Sequence, residues 1–288
     1  MLCRLLPIRS VGRLILHIGF IVGVLVAGLS NHSASAAVRK PIRWLLAPQG
    51  LEAIAADAEV SSLLDNTQPF VRRGLNAVAI PPRWNAIPFD TFTSFGAIKD
   101  ALVQSMLVPG VEGIMYDNES WRFTPVKEQQ NPAYYERLAA DLVHSYGLLF
   151  IAAPAVDLVP VLAPGTRGSR YDTYLQLGIA ADAARHADVI DIQAQGVELN
   201  TGAYENFVRQ AAAQARGANP RVLVLAGVST NPSGQKVTTD AILRAITATR
   251  DIVDGYWLNI PQPGEKCPRC NEFRPDIAIE VLSRLSAP

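Results

Sequence analysis

From Lys40 onward two hydrophobic rhythms alternate along the chain. Short runs rich in Val and Ile, of strand length, are followed by longer stretches in which apolar residues recur every three or four positions, and Pro, Gly and Asn mark the joints. The short runs predict strands over 42–47, 76–80, 112–116, 148–153, 189–193, 222–226 and 255–258. Between them lie helical patterns. The plainest covers 131–147, where Asn131 can cap the first turn, Pro132 fits the first helical position and Gly147 closes the last turn. Others cover 171–186, 204–216, 239–250 and 275–285. A strand–helix alternation of this kind builds a parallel sheet with helices outside it. Closing that sheet into an α/β (β/α)8 barrel of the TIM type needs one more strand, and the gap between Ile80 and Gly110 can hold it near 89–95, where Thr and Phe cluster.

The first segment follows a different pattern. Arg4, Arg9 and Arg13 precede an apolar run from Leu14 to Leu29, and a small, polar stretch ends at Ala34-Ser35-Ala36. This order predicts a secretory signal peptide over 1–36, cut after Ala36, and a barrel domain over 37–288. The apolar run is short of the ~20 residues that span a bilayer, so no membrane attachment is expected after cleavage, and the mature chain is expected to be secreted or extracytoplasmic.

Charge narrows the partners. The chain carries 26 basic and 26 acidic residues; without the three early arginines it is faintly acidic, which argues against nucleic acid. Cys267 and Cys270 remain in the mature chain as Cys-Pro-Arg-Cys, and in an oxidising compartment this spacing points to a short disulfide rather than a metal site, which wants about four ligands. His144 and His186 lie near helix ends and are not spaced as metal ligands. No phosphate-binding glycine loop and no serine nucleophile elbow is present, so neither metal nor cofactor is expected.

Barrels of this type gather their chemistry at the C-terminal ends of the strands. There the run Glu112-Gly113-Ile114-Met115-Tyr116-Asp117-Asn118-Glu119 ends an apolar strand in two carboxylates. Strand side chains alternate, so Met115, Asp117 and Glu119 share one face, and Ile114 and Tyr116 the other. With the apolar pair toward the helices, Asp117 and Glu119 face the barrel mouth, close enough for one charge to raise the other's pKa and leave a proton donor. On the sixth strand Asp191, Gln193 and Gln195 share a face; on the last, Trp257 and Asn259 do. Polar groups on such strands reach a wet cleft or a satisfied interior layer, and for Asp191 both readings stand. Trp121 and Trp257 suit stacking on a sugar ring, though large rings also fill cores. Tyr116 completes the set of candidate binding residues.

The strand ending in Asp117 and Glu119 resembles the signature of the family 18 glycoside hydrolases, the chitinases and endo-N-acetylglucosaminidases, in which D-G-x-D-x-D-x-E ends the fourth barrel strand. Gly113, Asp117 and Glu119 match; Glu112 replaces the first Asp and Met115 the second. The resemblance implies Glu119 as general acid and Asp117 as the residue orienting the substrate's 2-acetamido group, which is itself the nucleophile. It also implies an eighth-strand Trp under the sugar, the place of Trp257. Met115 lacks a carboxyl that the family uses to tune the central Asp. Three functions therefore stay open: a hydrolase of N-acetylglucosamine-containing glycans, a carbohydrate-binding or cell-envelope barrel without turnover, and a hydrolase pairing Glu119 with Asp157 or Asp191 as plain acid and base.

Overall fold

A computed structural model describes residues 41–73, 79–265 and 267–286. The segment read as a signal peptide lies outside them. Eight parallel strands close into one barrel in sequence order: β1 Arg43–Leu46, β2 Phe70–Arg72, β3 Ile87–Phe92, β4 Gly113–Tyr116, β5 Leu149–Ala152, β6 Val189–Ile192, β7 Leu223–Ser229 and β8 Gly255–Asn259. β8 pairs with β1, Trp44 opposite Tyr256, which completes the ring.

The (β/α)8 barrel is thus present, with corrections to its first half. The third strand lies in the gap, at Ile87–Phe92. The second is Phe70–Arg72, upstream of the predicted 76–80; residues 76–78 lie outside the described ones, and Ala79 and Ile80 are not in a strand. Three residues were too few to register as a strand rhythm, especially with Arg72 and Arg73 at the end. The stretch read as one helix over 171–186 is two, Arg170–Gln176 and Ile179–Ala184. Gly178 breaks it by taking φ +68°, a left-handed backbone that favours glycine. Asn131 stands at the start of helix Pro132–Ser145, but its Nδ2 donates to the Lys127 carbonyl (3.0 Å) instead of capping.

Two apolar layers follow from the alternation along the strands. Leu45, Phe70, Phe89, Met115, Ile151, Ala153, Val189 and Leu225 fill the inside of the barrel. The residues between them, among them Ile114, Tyr116, Phe150, Ile190 and Val224, pack outward against the helices in a much larger core. At about 25 cal/mol per Å² of apolar surface removed from water, this double layer is the main stabilising contribution. The opposite end of the barrel is held by aspartates that precede strands. Asp188 accepts from the Phe150 N–H (2.8 Å) and Asp254 from the Val224 N–H (3.0 Å), and Arg216 pairs with Asp254 at 2.9 Å.

Candidate functional site

The chain past β4 carries the acids. Its backbone is braced on both sides: Asp117 N–H donates to the Phe92 carbonyl (2.9 Å), Ala153 N–H to the Tyr116 carbonyl (3.0 Å) and Ala155 N–H to the Asn118 carbonyl (3.0 Å). Met115 lies inside the barrel, while Ile114 and Tyr116 lie among the helices. The alternation therefore runs as the sequence pattern predicts, and Asp117 and Glu119 continue the inner face toward the mouth. Asp117 is 8% exposed and accepts a hydrogen bond from Gln193 Nε2 (3.1 Å), which also donates to the Ala153 carbonyl (3.0 Å).

Glu119 sits higher and lines a hollow of about 260 Å³ at the strand ends. Asp157, Gln193, Gln195, Trp257 and Asn259 line the same hollow. Burial pushes the Glu119 carboxyl well above the usual carboxylate range, and the charges of Asp117 and Asp157 push it further. It hydrogen-bonds to Asp117 and Gln193. A carboxyl so placed is pushed toward its protonated form and faces the hollow into which it could deliver the proton. Asp157, raised by burial, accepts from the Ser120 N–H (2.9 Å) and so ties the loop after β5 to the one carrying Glu119.

Three candidates are placed elsewhere. Tyr116 is fully buried against the helices, its hydroxyl donating to Glu128 Oε2 (2.7 Å). That follows from its parity on the strand, opposite to Asp117. Trp121 is held at the rim, with Nε1 donating to Thr124 Oγ1 (2.9 Å) and its ring edge-on to Phe123, and it does not line the hollow. Asp191 is fully buried beneath Gln193 and does not line it either. Cys267 and Cys270 are disulfide-bonded, and Cys267 forms part of the hollow's wall. The bonded turn is fastened to the loop after β7 by Asn231 Nδ2, which donates to the Glu272 carbonyl (3.2 Å) just beyond Cys270.

Sequence reasoning missed Ser229 and Asn231, which line the hollow from the end of β7, and two buried acids around it. Glu198 is fully buried and accepts from the Ser229 N–H (2.7 Å), fixing the end of that strand. Glu136 is buried behind β4. Its signal was available, since Glu136, Ala139, Ala140 and Val143 form the buried stripe of helix Pro132–Ser145.

Size does not single out this hollow. One of about 400 Å³ lies beside Glu136 and Ile179, and another of about 680 Å³ surrounds Asp188 and Asn219 at the opposite end. The acids at the C-terminal strand ends do. Among the described residues no three His, Cys, Asp or Glu side chains are grouped as ligands for a metal ion.

No family model matches the chain. No curated protein matches it. Solved structures with a similar backbone include a chitinase from Chromobacterium violaceum ATCC 12472, at 11% identity over 86% of this chain and 100% of that one, TM-score 0.45. A family 17 β-1,3-glucanosyltransferase from Rhizomucor miehei shares 12% over 77% and 88%, TM-score 0.44. The YdjI aldolase from Escherichia coli K12 shares 12% over 85% and 88%, TM-score 0.43. An aldolase at the same level as two carbohydrate enzymes means that these likenesses carry no argument about the reaction.

Proposed function

We propose that this chain is an exported glycoside hydrolase acting on N-acetylglucosamine-containing glycans. The observation that carries the reading is the place of Glu119: a carboxyl beside Asp117, pushed toward its protonated form by burial and by that neighbour, facing a hollow walled by amides and a tryptophan. In this reading Glu119 protonates the leaving oxygen. Asp117, just below, holds the N–H of the acetamido group while its carbonyl attacks the anomeric carbon. Gln193, Gln195 and Asn259 hold sugar hydroxyls, and Trp257 offers its ring to the pyranose face. The Cys267–Cys270 disulfide supports work outside the cytoplasm.

The test is a screen of the chain from residue 37 against chitin oligomers, peptidoglycan and N-glycans, reading binding and cleavage in parallel. Cleavage with retained configuration is expected. Binding without cleavage leaves a carbohydrate-binding barrel, and silence on both removes the sugar from the account. One observation favours a second reading: Asp157 faces the same hollow as Glu119, as a plain acid and base pair requires. Cleavage of glycosides that lack an acetamido group would select it.

The reading also predicts the behaviour of Gly227, opposite Trp257 on β7. A methyl group there would stand 2.4 Å from the Gln195 amide. Because the obstacle is a movable side chain, Gly227→Ala displaces Gln195 rather than unfolding the barrel. The KM for the cleaved glycan is expected to rise about tenfold, the loss of roughly one hydrogen bond, with kcat little changed. An unchanged KM would remove Gln195 from the binding set.

A further inference from the structure

Asp191 points into the closed interior of the barrel on the level of Asp117. Tyr116 pairs with Ala152 and Ala152 with Ile190; one residue further on, Asp117, Ala153 and Asp191 stand in a row across β4, β5 and β6. Ala153 contributes only a methyl group, which leaves room between the two carboxyls. Met115, Ile151 and Val189 form the apolar floor of this row, and Leu225 flanks Asp191 from β7. Gln193 closes it from above through its bonds to Asp117 and Ala153.

Asp191 is fully buried, and neither of its oxygens has a hydrogen-bond partner. An ionised carboxylate without donors is too costly to keep in such a place, so the group takes a proton. The neighbouring Asp117 charge pushes in the same direction. The tyrosine hydroxyls on the helix side, Tyr174 and Tyr204, already donate to the Pro154 and Gly227 carbonyls. A neutral acid can donate its proton in a hydrogen bond, and the charge on its level is that of Asp117.

We infer that Asp191, a neutral acid on the level of Asp117, is a positioning residue that keeps the site's negative charge on Asp117 and the site's proton on Glu119. The inference rests on the reading of Glu119 as proton donor. Glu119 hydrogen-bonds to Asp117 and feels its charge, so whatever stabilises charge on the lower group strengthens the upper one's hold on its proton. Donation from Asp191 through one water in the space above Ala153 does this. Of the other acids near the pair, Asp157 acts on Glu119 through repulsion across the hollow, whereas Glu136, buried behind β4, is itself pushed toward its protonated form by burial and by the Asp117 charge.

The experiment is a carboxyl-carbon NMR titration of wild type, Asp191→Asn and Asp191→Leu, which needs no substrate. In wild type the resonance missing from Asp191→Asn is expected to remain protonated at pH 7. In Asp191→Leu the Glu119 midpoint is expected to fall by about one pH unit, while Asp191→Asn, which keeps an N–H donor, leaves it nearly in place. An Asp191 ionised at pH 7, a Glu119 unmoved in both variants, or one moved equally in both overturns the inference. Should the leucine variant not fold, the state of Asp191 in wild type decides. A chain that cleaves no glycan would end the functional reading without touching this result, and an active enzyme with an unmoved Glu119 would end only the role of Asp191.

Discussion

Glu119→Gln is expected to lower turnover of the cleaved glycan by roughly 10² to 10⁴-fold, the range for removing a general acid, while binding changes little. The amide has the size of the carboxyl and still bonds to neighbours, so the hollow keeps its shape; what is lost is a transferable proton. The effect should depend on the leaving group. A substrate whose leaving group departs without protonation, such as an activated aryl glycoside, should retain much of its rate in the variant. Turnover of the natural linkage persisting within a few-fold of wild type would show that Glu119 is not the donor, and Asp157 would be next in line.

The second large effect concerns stability against pH. Asp191, Glu136 and Glu198 are fully buried carboxyls, each pushed well above the usual range first by burial. Burial thus favours their protonated forms in the folded chain, whereas the unfolded chain releases those protons near pH 4. Raising the pH above that value therefore favours unfolding, and each group that keeps its proton contributes a loss of up to about 1.4 kcal/mol per pH unit. Asp276, held low by Arg274, runs the other way, but its contribution is already complete above pH 4. Urea unfolding at pH 4.5, 6 and 7.5 should give midpoints that fall steadily. A flat or rising series would mean that these acids are charged and solvated in the folded protein.

Much of this architecture is legible in the linear chain because a fully buried parallel strand leaves a clear mark: Val189 to Ile192 or Leu223 to Val228 read as strand in any context. Phe70–Arg72 leaves no such mark. It is short, ends in cations and is defined by the partners on either side, Leu45 and Ile87. At the site, alternation placed Asp117 and Glu119 on the inner face and brought Gln193, Gln195, Trp257 and Asn259 to one hollow. Alternation gives a direction but not a height. Asp191 faces inward as read, yet one layer below the opening, where a polar residue is sealed off from the mouth. Trp121 lies beyond the strand, where period-2 reasoning stops, and the loop's own bonds decide its position. Asn231 and Cys267 belong to loops whose path over the mouth is a tertiary matter.

The parts of the mouth come from different arcs of the ring. Asp117, Glu119, Asp157 and Gln193 follow β4, β5 and β6, whereas Asn231, Trp257, Asn259 and Cys267 lie on β8 or in the loops after β7 and β8. Proton chemistry and shape are therefore carried by separate half-circles. Mutational drift in the second arc can remodel what the opening admits while Glu119 on the first keeps its surroundings, so under the proposed function the substrate range would be free to diverge faster than the reaction.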